Sequence, residues 1–170
     1  MTIGDYLTEH APPFALWKDL LNVLFEDSPN QPRFERVGSA ARVVYLVRMF
    51  GGQVGNGGFH QFLANSSGDY AAETLEVLHQ VGATVSSELL EQALSIFPGG
   101  RAPRDQSERL ELLFPITGRI KEMLDGIDRR SYREVDPIEG KGRESLDGLL
   151  LTYMQAHAGE AVIAKLVNGH

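Results

Sequence analysis

The chain has 170 residues, 42% of them hydrophobic, with no cysteine and a formal net charge of −7. That is enough apolar material for one well-buried core, and no break in composition argues for a second domain, so residues 1–170 are expected to form a single helical domain. The lack of cysteine excludes a disulfide framework, a thiolate nucleophile and any cysteine-ligated metal centre; the 11 acidic against 5 basic side chains of residues 1–100 argue against direct nucleic-acid binding and favour basic partners.

Met1 leads into Thr2-Ile3-Gly4-Asp5-Tyr6 with no basic segment and no long apolar run. No later run approaches the roughly 20 apolar residues that span a bilayer, so a soluble, cytoplasmic protein is expected. After Pro12-Pro13, Trp17, Leu20, Leu21 and Leu24 recur at i, i+3, i+4 and i+7, an amphipathic helix that stops near Asp27-Ser28-Pro29. Val43, Leu46, Val47 and Phe50 fit a second helix. The run Val43–Val47 also suits a buried strand, although Arg42 and Arg48 on its flanks favour the helix.

Next comes the glycine-rich stretch Gly51-Gly52-Gln53-Val54-Gly55-Asn56-Gly57-Gly58, which reads as a device for turning the chain and seating Phe59 and Phe62 in the core. It lacks the Gly-Lys-Ser/Thr ending and the preceding strand that phosphate loops use. Residues 69–81, with Ala71, Leu75 and Leu78 on one face and Gly82 behind them, predict a helix. A partner capped by Thr84 carries Leu90, Ala93, Leu94 and Phe97, and the two read as a helical hairpin. Asp105 and Glu108 have capping-box spacing ahead of Leu110, Leu113 and Phe114, and Pro115 separates this helix from the next. The helix through Ile116, Ile120, Met123, Leu124 and Ile127 is expected to end between Gly126 and Arg130, with a surface loop over residues 131–142. Leu146, Leu149, Leu150, Tyr153 and Met154 predict another helix, and residues 161–167 a short terminal one. The fold class is all-α, a bundle of about six to eight helices.

Glu76 and His79 have the Glu-x-x-His spacing of helical di-iron proteins, which use it twice. No second copy exists, since His157 precedes Glu160, so neither a metal nor a cofactor is expected. His60 is the candidate base, near Asn56, Gln61, Asn65, Ser66, Ser67 and Asp69. A triad drawn from Ser66 or Ser67 with Asp69 would have to converge within nine residues, whereas triad members ordinarily come from separate elements. The structural reading is that Asn65 takes a left-handed position ending one helix and Ser66, Ser67 or Asp69 caps the next.

The segment Asn56-Gly57-Gly58-Phe59-His60-Gln61-Phe62-Leu63-Ala64-Asn65-Ser66-Ser67-Gly68-Asp69 resembles the signature of a bacterial all-α family whose namesake is a DNA mimic protein. The likeness extends through Ala72–Leu75 and Val81–Ala83 to Phe97, a family-like core over about residues 42–97, with Gly55 where a polar residue is typical. The resemblance implies a non-enzymatic, dimeric protein that presents carboxylates to the DNA-binding surface of a partner such as a transcription regulator. Such mimicry needs carboxylates held rigidly on one surface. The i, i+3 pairs Glu73/Glu76 and Glu88/Glu91 are the candidates, with Glu26 and Asp27 as a third group. The alternative is a small-ligand or hydrolytic protein in which Asn56, His60, Gln61 and Asn65 line a polar pocket.

Overall fold

The computed structural model describes residues 1–9, 14–114, 118–136 and 142–163. It is all-α, as expected. The helices are α1 (Ile3–Glu9), α2 (Phe14–Phe25), α3 (Ser39–Ala64), α4 (Ala71–Gln80), α5 (Thr84–Leu94), α6 (Gln106–Leu113), α7 (Arg119–Glu134) and α8 (Leu146–Ala156). The β-structure among the described residues is one parallel pair of two-residue strands, β1 (Val135–Asp136) and β2 (Glu144–Ser145), and two isolated bridges. No described helix is long and apolar enough to cross a membrane. Contacts group the chain into two compact units, Met1–Tyr45 with Asp147–His170, and Leu46–Leu146.

In the first unit, Ile3, Tyr6, Leu16, Leu20 and Leu24 are fully buried; of the stripe expected on α2, Leu20 and Leu24 reach the core, Trp17 and Leu21 are only partly covered, and Leu16 is buried although it was not in the stripe. Backbone amides of Ile3 and Gly4 donate to the carbonyls of Glu160 and Ala158, and antiparallel bridges join Thr2 to Ala161 and Val37 to Ile163. Residues 161–163 therefore pair as extended backbone instead of starting the expected terminal helix; residues 164–167 lie outside the described residues. Tyr45 stacks on Trp17 with ring centroids 5.2 Å apart and meets the edge of Phe34 at 5.5 Å, and Arg42 sits 4.8 Å over the Phe34 ring. Residues 43–47 are helical, so the strand reading falls.

In the second unit, Phe50 packs against Phe59 and Phe62 at 5.7 and 5.2 Å in edge-to-face geometry, and all three are buried. The glycine-rich stretch departs from expectation: α3 runs through Gly51, Gly52 and Gly55, and its dihedrals leave the helical region only at Gly57 and Gly58. Burial of Phe50 and Val54 on the helix outweighs the roughly 1 kcal/mol that each interior glycine costs relative to alanine. Helices α4 and α5 pack together around Gly82, which takes the positive φ expected of a C-terminal cap. Helix α5 also packs on α7. The Asp105 side chain accepts from the Glu108 amide at 3.0 Å, the predicted cap of α6. Helix α7 passes the expected stop between Gly126 and Arg130 and continues to Glu134, because Ile127 and Ser131 extend its buried face. Residues 131–134 thus belong to α7, and 137–141 lie outside the described residues.

Candidate functional site

Gly58 has φ +71°, and a Cβ there would overlap the Asp128 carboxyl group. The missing side chain lets Asp128, on α7, reach the first free amide of the helical segment beginning at Phe59, accepting from Phe59 N–H at 2.8 Å. Burial dominates its environment and raises its pKa above the ordinary 3.8, with Asp125 acting in the same direction, while the Phe59 amide and His60 oppose the rise.

Beside this junction lies a cavity of about 320 Å³ lined by Gly57, His60, Phe114, Lys121, Leu124, Asp125 and Asp128. The α7 contributors fall at i, i+3, i+4 and i+7, one face of the helix. Lys121 and Asp125 form an ion pair of 2.6 Å at its rim. Phe114 is 53% exposed and sets its ring edge-on to His60 at 5.5 Å. His60 Nε2 is closed off from solvent and has no hydrogen-bond partner among the described residues.

The other polar residues singled out in the sequence go elsewhere. Gln61 and Asn65 both donate side-chain amides to Gln53 Oε1 at 2.9 Å, and Asn56 is exposed. Of the four residues expected to line a polar pocket, the cavity includes His60 alone. Asn65 has φ −80° and ψ 174°, extended and not left-handed, because the chain enters a 3-10 turn at Ser66–Tyr70 directly. Neither that turn nor α4 is capped by Ser66, Ser67 or Asp69. Ser67 donates its hydroxyl to Phe62 O, and Asp69 binds Arg109 at 2.5 Å.

Arg109 is fully buried and spends its guanidinium on Leu63 O, Pro103 O, Arg104 O, Asn65 O and the Asp69 carboxylate. A Cβ at Gly68 would lie 2.5 Å from Leu63 O and 2.6 Å from Arg109 Nε, so glycine is what admits the arginine. Gly68 and Asp69 of the motif thereby seat a buried arginine against a partly exposed carboxylate. No local signal in the sequence pairs Asp69 with a residue forty positions on.

The four glutamates on α4 and α5 differ in availability. Glu76 is exposed and has no partner among the described residues. Glu88 and Glu91 side chains are 51% and 54% exposed, paired with Arg130 at 3.1 Å and His79 at 3.2 Å. Glu73 is only 17% exposed and pairs with Arg104, with one carboxylate oxygen buried. His79 thus meets Glu91 and not a metal-binding set; no three His, Asp or Glu side chains gather as ligands among the described residues. Glu26 and Asp27 both pair with Arg36.

A residue that sequence reading passed over anchors this surface. Glu144 on β2 is 8% exposed, and its carboxylate accepts from Val85 N–H at 2.7 Å, Ser86 N–H at 3.0 Å and the Ser86 hydroxyl at 2.5 Å. It caps α5 from 58 residues away. Thr84, expected to do this, is instead the first residue of the helix, and no side chain caps it from the adjoining segment.

No curated protein and no solved structure matches the chain. The family model described as DMP19-like protein matches residues 35–157, a span that takes in the Gly57–Gly58 junction, the Arg109–Asp69 pair, the cavity and both acidic helices. The chain belongs to the DMP19-like protein family.

Proposed function

We propose that this protein is a non-enzymatic interaction module of the DNA-mimic type, whose α4–α5 surface binds the basic, DNA-binding face of a partner such as a transcription regulator. Membership of a DNA-mimic family supports this reading. The observation that carries it is the charge of residues 49–100, where Asp69, Glu73, Glu76, Glu88 and Glu91 stand without a single lysine or arginine. Four of the five lie on two packed helices. The second of these is held in place by Glu144 at its N-terminus.

Arg130 and His79 occupy Glu88 and Glu91 in the free protein. Exposed ion pairs contribute only about 0–1 kcal/mol, so an incoming arginine or lysine exchanges for them at little cost. Glu76, Glu88 and Glu91 form the available set, and Glu73, being largely buried, supports the surface through Arg104. We place the protein in the cytoplasm and expect a homodimer, measured by light scattering on the purified chain.

The test is retention of partners from a lysate of the source organism across a salt gradient. A DNA-binding protein should be held at low salt and released as salt rises, because screening shortens the reach of surface charge to about 10 Å at 0.1 M. Replacing Glu76, Glu88 and Glu91 by glutamine should abolish retention while leaving the circular dichroism spectrum unchanged. Undiminished, salt-insensitive retention by the triple variant would refute the acidic-surface reading.

A further inference from the structure

The cavity beside Gly58 is used by neither the acidic helices nor the buried arginine, and its chemistry is uneven. Among the described residues of its lining the acidic groups are Asp125 and Asp128, and the cation is Lys121, already bound to Asp125. Asp128 commits Oδ1 to the Phe59 amide, and its Oδ2 has no partner among the described residues. His60 lines the cavity with its ring, its Nε2 being closed off from solvent. A carboxylate oxygen can only accept hydrogen bonds. Phe114 adds a half-exposed aromatic ring, a group to which cations are attracted.

We propose that this cavity is a binding site for an organic cation rich in N–H donors, of the guanidinium or alkylammonium class. Among the described lining residues Asp128 is the carboxylate without an ion-pair partner, and its free oxygen matches a donor-only ligand. An anion would meet Asp128 with no available cation to oppose it among the described lining residues. The volume of about 320 Å³ stands at the lower end of small-ligand cavities, roughly 300–1,000 Å³, which suits a single arginine-sized group. Burial disfavours the charged form of Asp128, and a bound cation relieves that cost. Two sources share this chemistry, a free amine or guanidine and an arginine side chain offered by a protein. The site stands whether or not the α4–α5 glutamates bind a partner.

The experiment titrates the full chain with agmatine and with N-acetyl-arginine methylamide, following the His60 ring signals by nuclear magnetic resonance and affinity by calorimetry. N-acetyl-norleucine methylamide and inorganic phosphate serve as neutral and anionic comparisons. Either cation should shift the His60 signals while both comparisons leave them in place. Binding of both cations identifies a site able to take a protein side chain; binding of agmatine alone identifies a free small cation. Asp128→Asn retains an acceptor for Phe59 and should weaken binding at least tenfold. Should that variant fail to fold, Phe114→Leu, at an exposed position, should weaken binding severalfold. The proposal is overturned if neither cation moves His60, if phosphate binds in their place, or if the folded variants bind both cations as tightly as the parent.

Discussion

Removing the carboxylate of Glu144 should destabilise the protein by about 3–5 kcal/mol. Glu144→Ala leaves three donors without an acceptor: the amides of Val85 and Ser86 and the Ser86 hydroxyl. Each hydrogen bond contributes about 1 kcal/mol between neutral groups and about 1.5–3 when one partner is charged. Ser86 is 1% exposed, so water cannot take over its two bonds without opening the helix end. The lower figure corresponds to three neutral-strength bonds, and the upper to charge assistance at a helix N-terminus. Glu144→Gln keeps one acceptor oxygen and should lose about 1–2 kcal/mol. Urea unfolding followed by circular dichroism measures both, and amide exchange at Val85 and Ser86 locates the loss. Because α5 carries Glu88 and Glu91, the alanine variant should also retain partners less well at unchanged charge on the α4–α5 helices. An unfolding free energy within about 1 kcal/mol of the parent, with unchanged exchange at α5, would refute the reasoning.

Gly58→Ala should lower stability by about 3 kcal/mol or more, since it adds backbone strain at φ +71° to a clash with the Asp128 carboxyl; a shift of the urea midpoint by less than a third of that would show the junction to be pliable. Arg109→Lys keeps the charge but cannot reach the five acceptors around it, so about 3–5 kcal/mol should be lost, and a thermal midpoint equal to the parent's would contradict the buried-pair account. Asp128 has a folded pKa raised above its unfolded value, so folding takes up a proton at this carboxyl. Its favourable contribution is present below the unfolded value of 3.8 and is lost as pH rises through the folded one. Asp128→Asn, which cannot ionise, removes that decline, and identical slopes of stability against pH for both proteins would be the contrary result.

Much of the helical layout was legible because a 3.6-residue period is a local property. Leu20 and Leu24 of the expected stripe are buried along α2, and Leu90, Ala93 and Leu94 along α5. Boundaries were less so. The stop placed between Gly126 and Arg130 fell short because glycine only weakens a helix, and burial of Ile127 and Ser131 carries α7 on to Glu134. His60 was recognisable as a functional candidate. Its companions in the cavity were not, although Lys121, Leu124, Asp125 and Asp128 carry the signature of one helix face.

The amino-acid sequence alone determined the all-α class, the acidic character of residues 1–100, the absence of thiol chemistry and, through the match over residues 35–157, the family. These are properties of composition and short-range spacing, which need no knowledge of what packs against what. Tertiary structure decided which glycine in the string breaks α3, because only at Gly58 does the Asp128 carboxylate arrive to claim the space of a side chain and the Phe59 amide. It likewise decided that Asp69 serves Arg109, that Glu144 and not Thr84 caps α5, and that His60 stands beside Phe114 and not among the motif's amides. Buried charges and orphaned amides take partners from wherever in the chain packing brings them, and that distance is invisible to any local pattern.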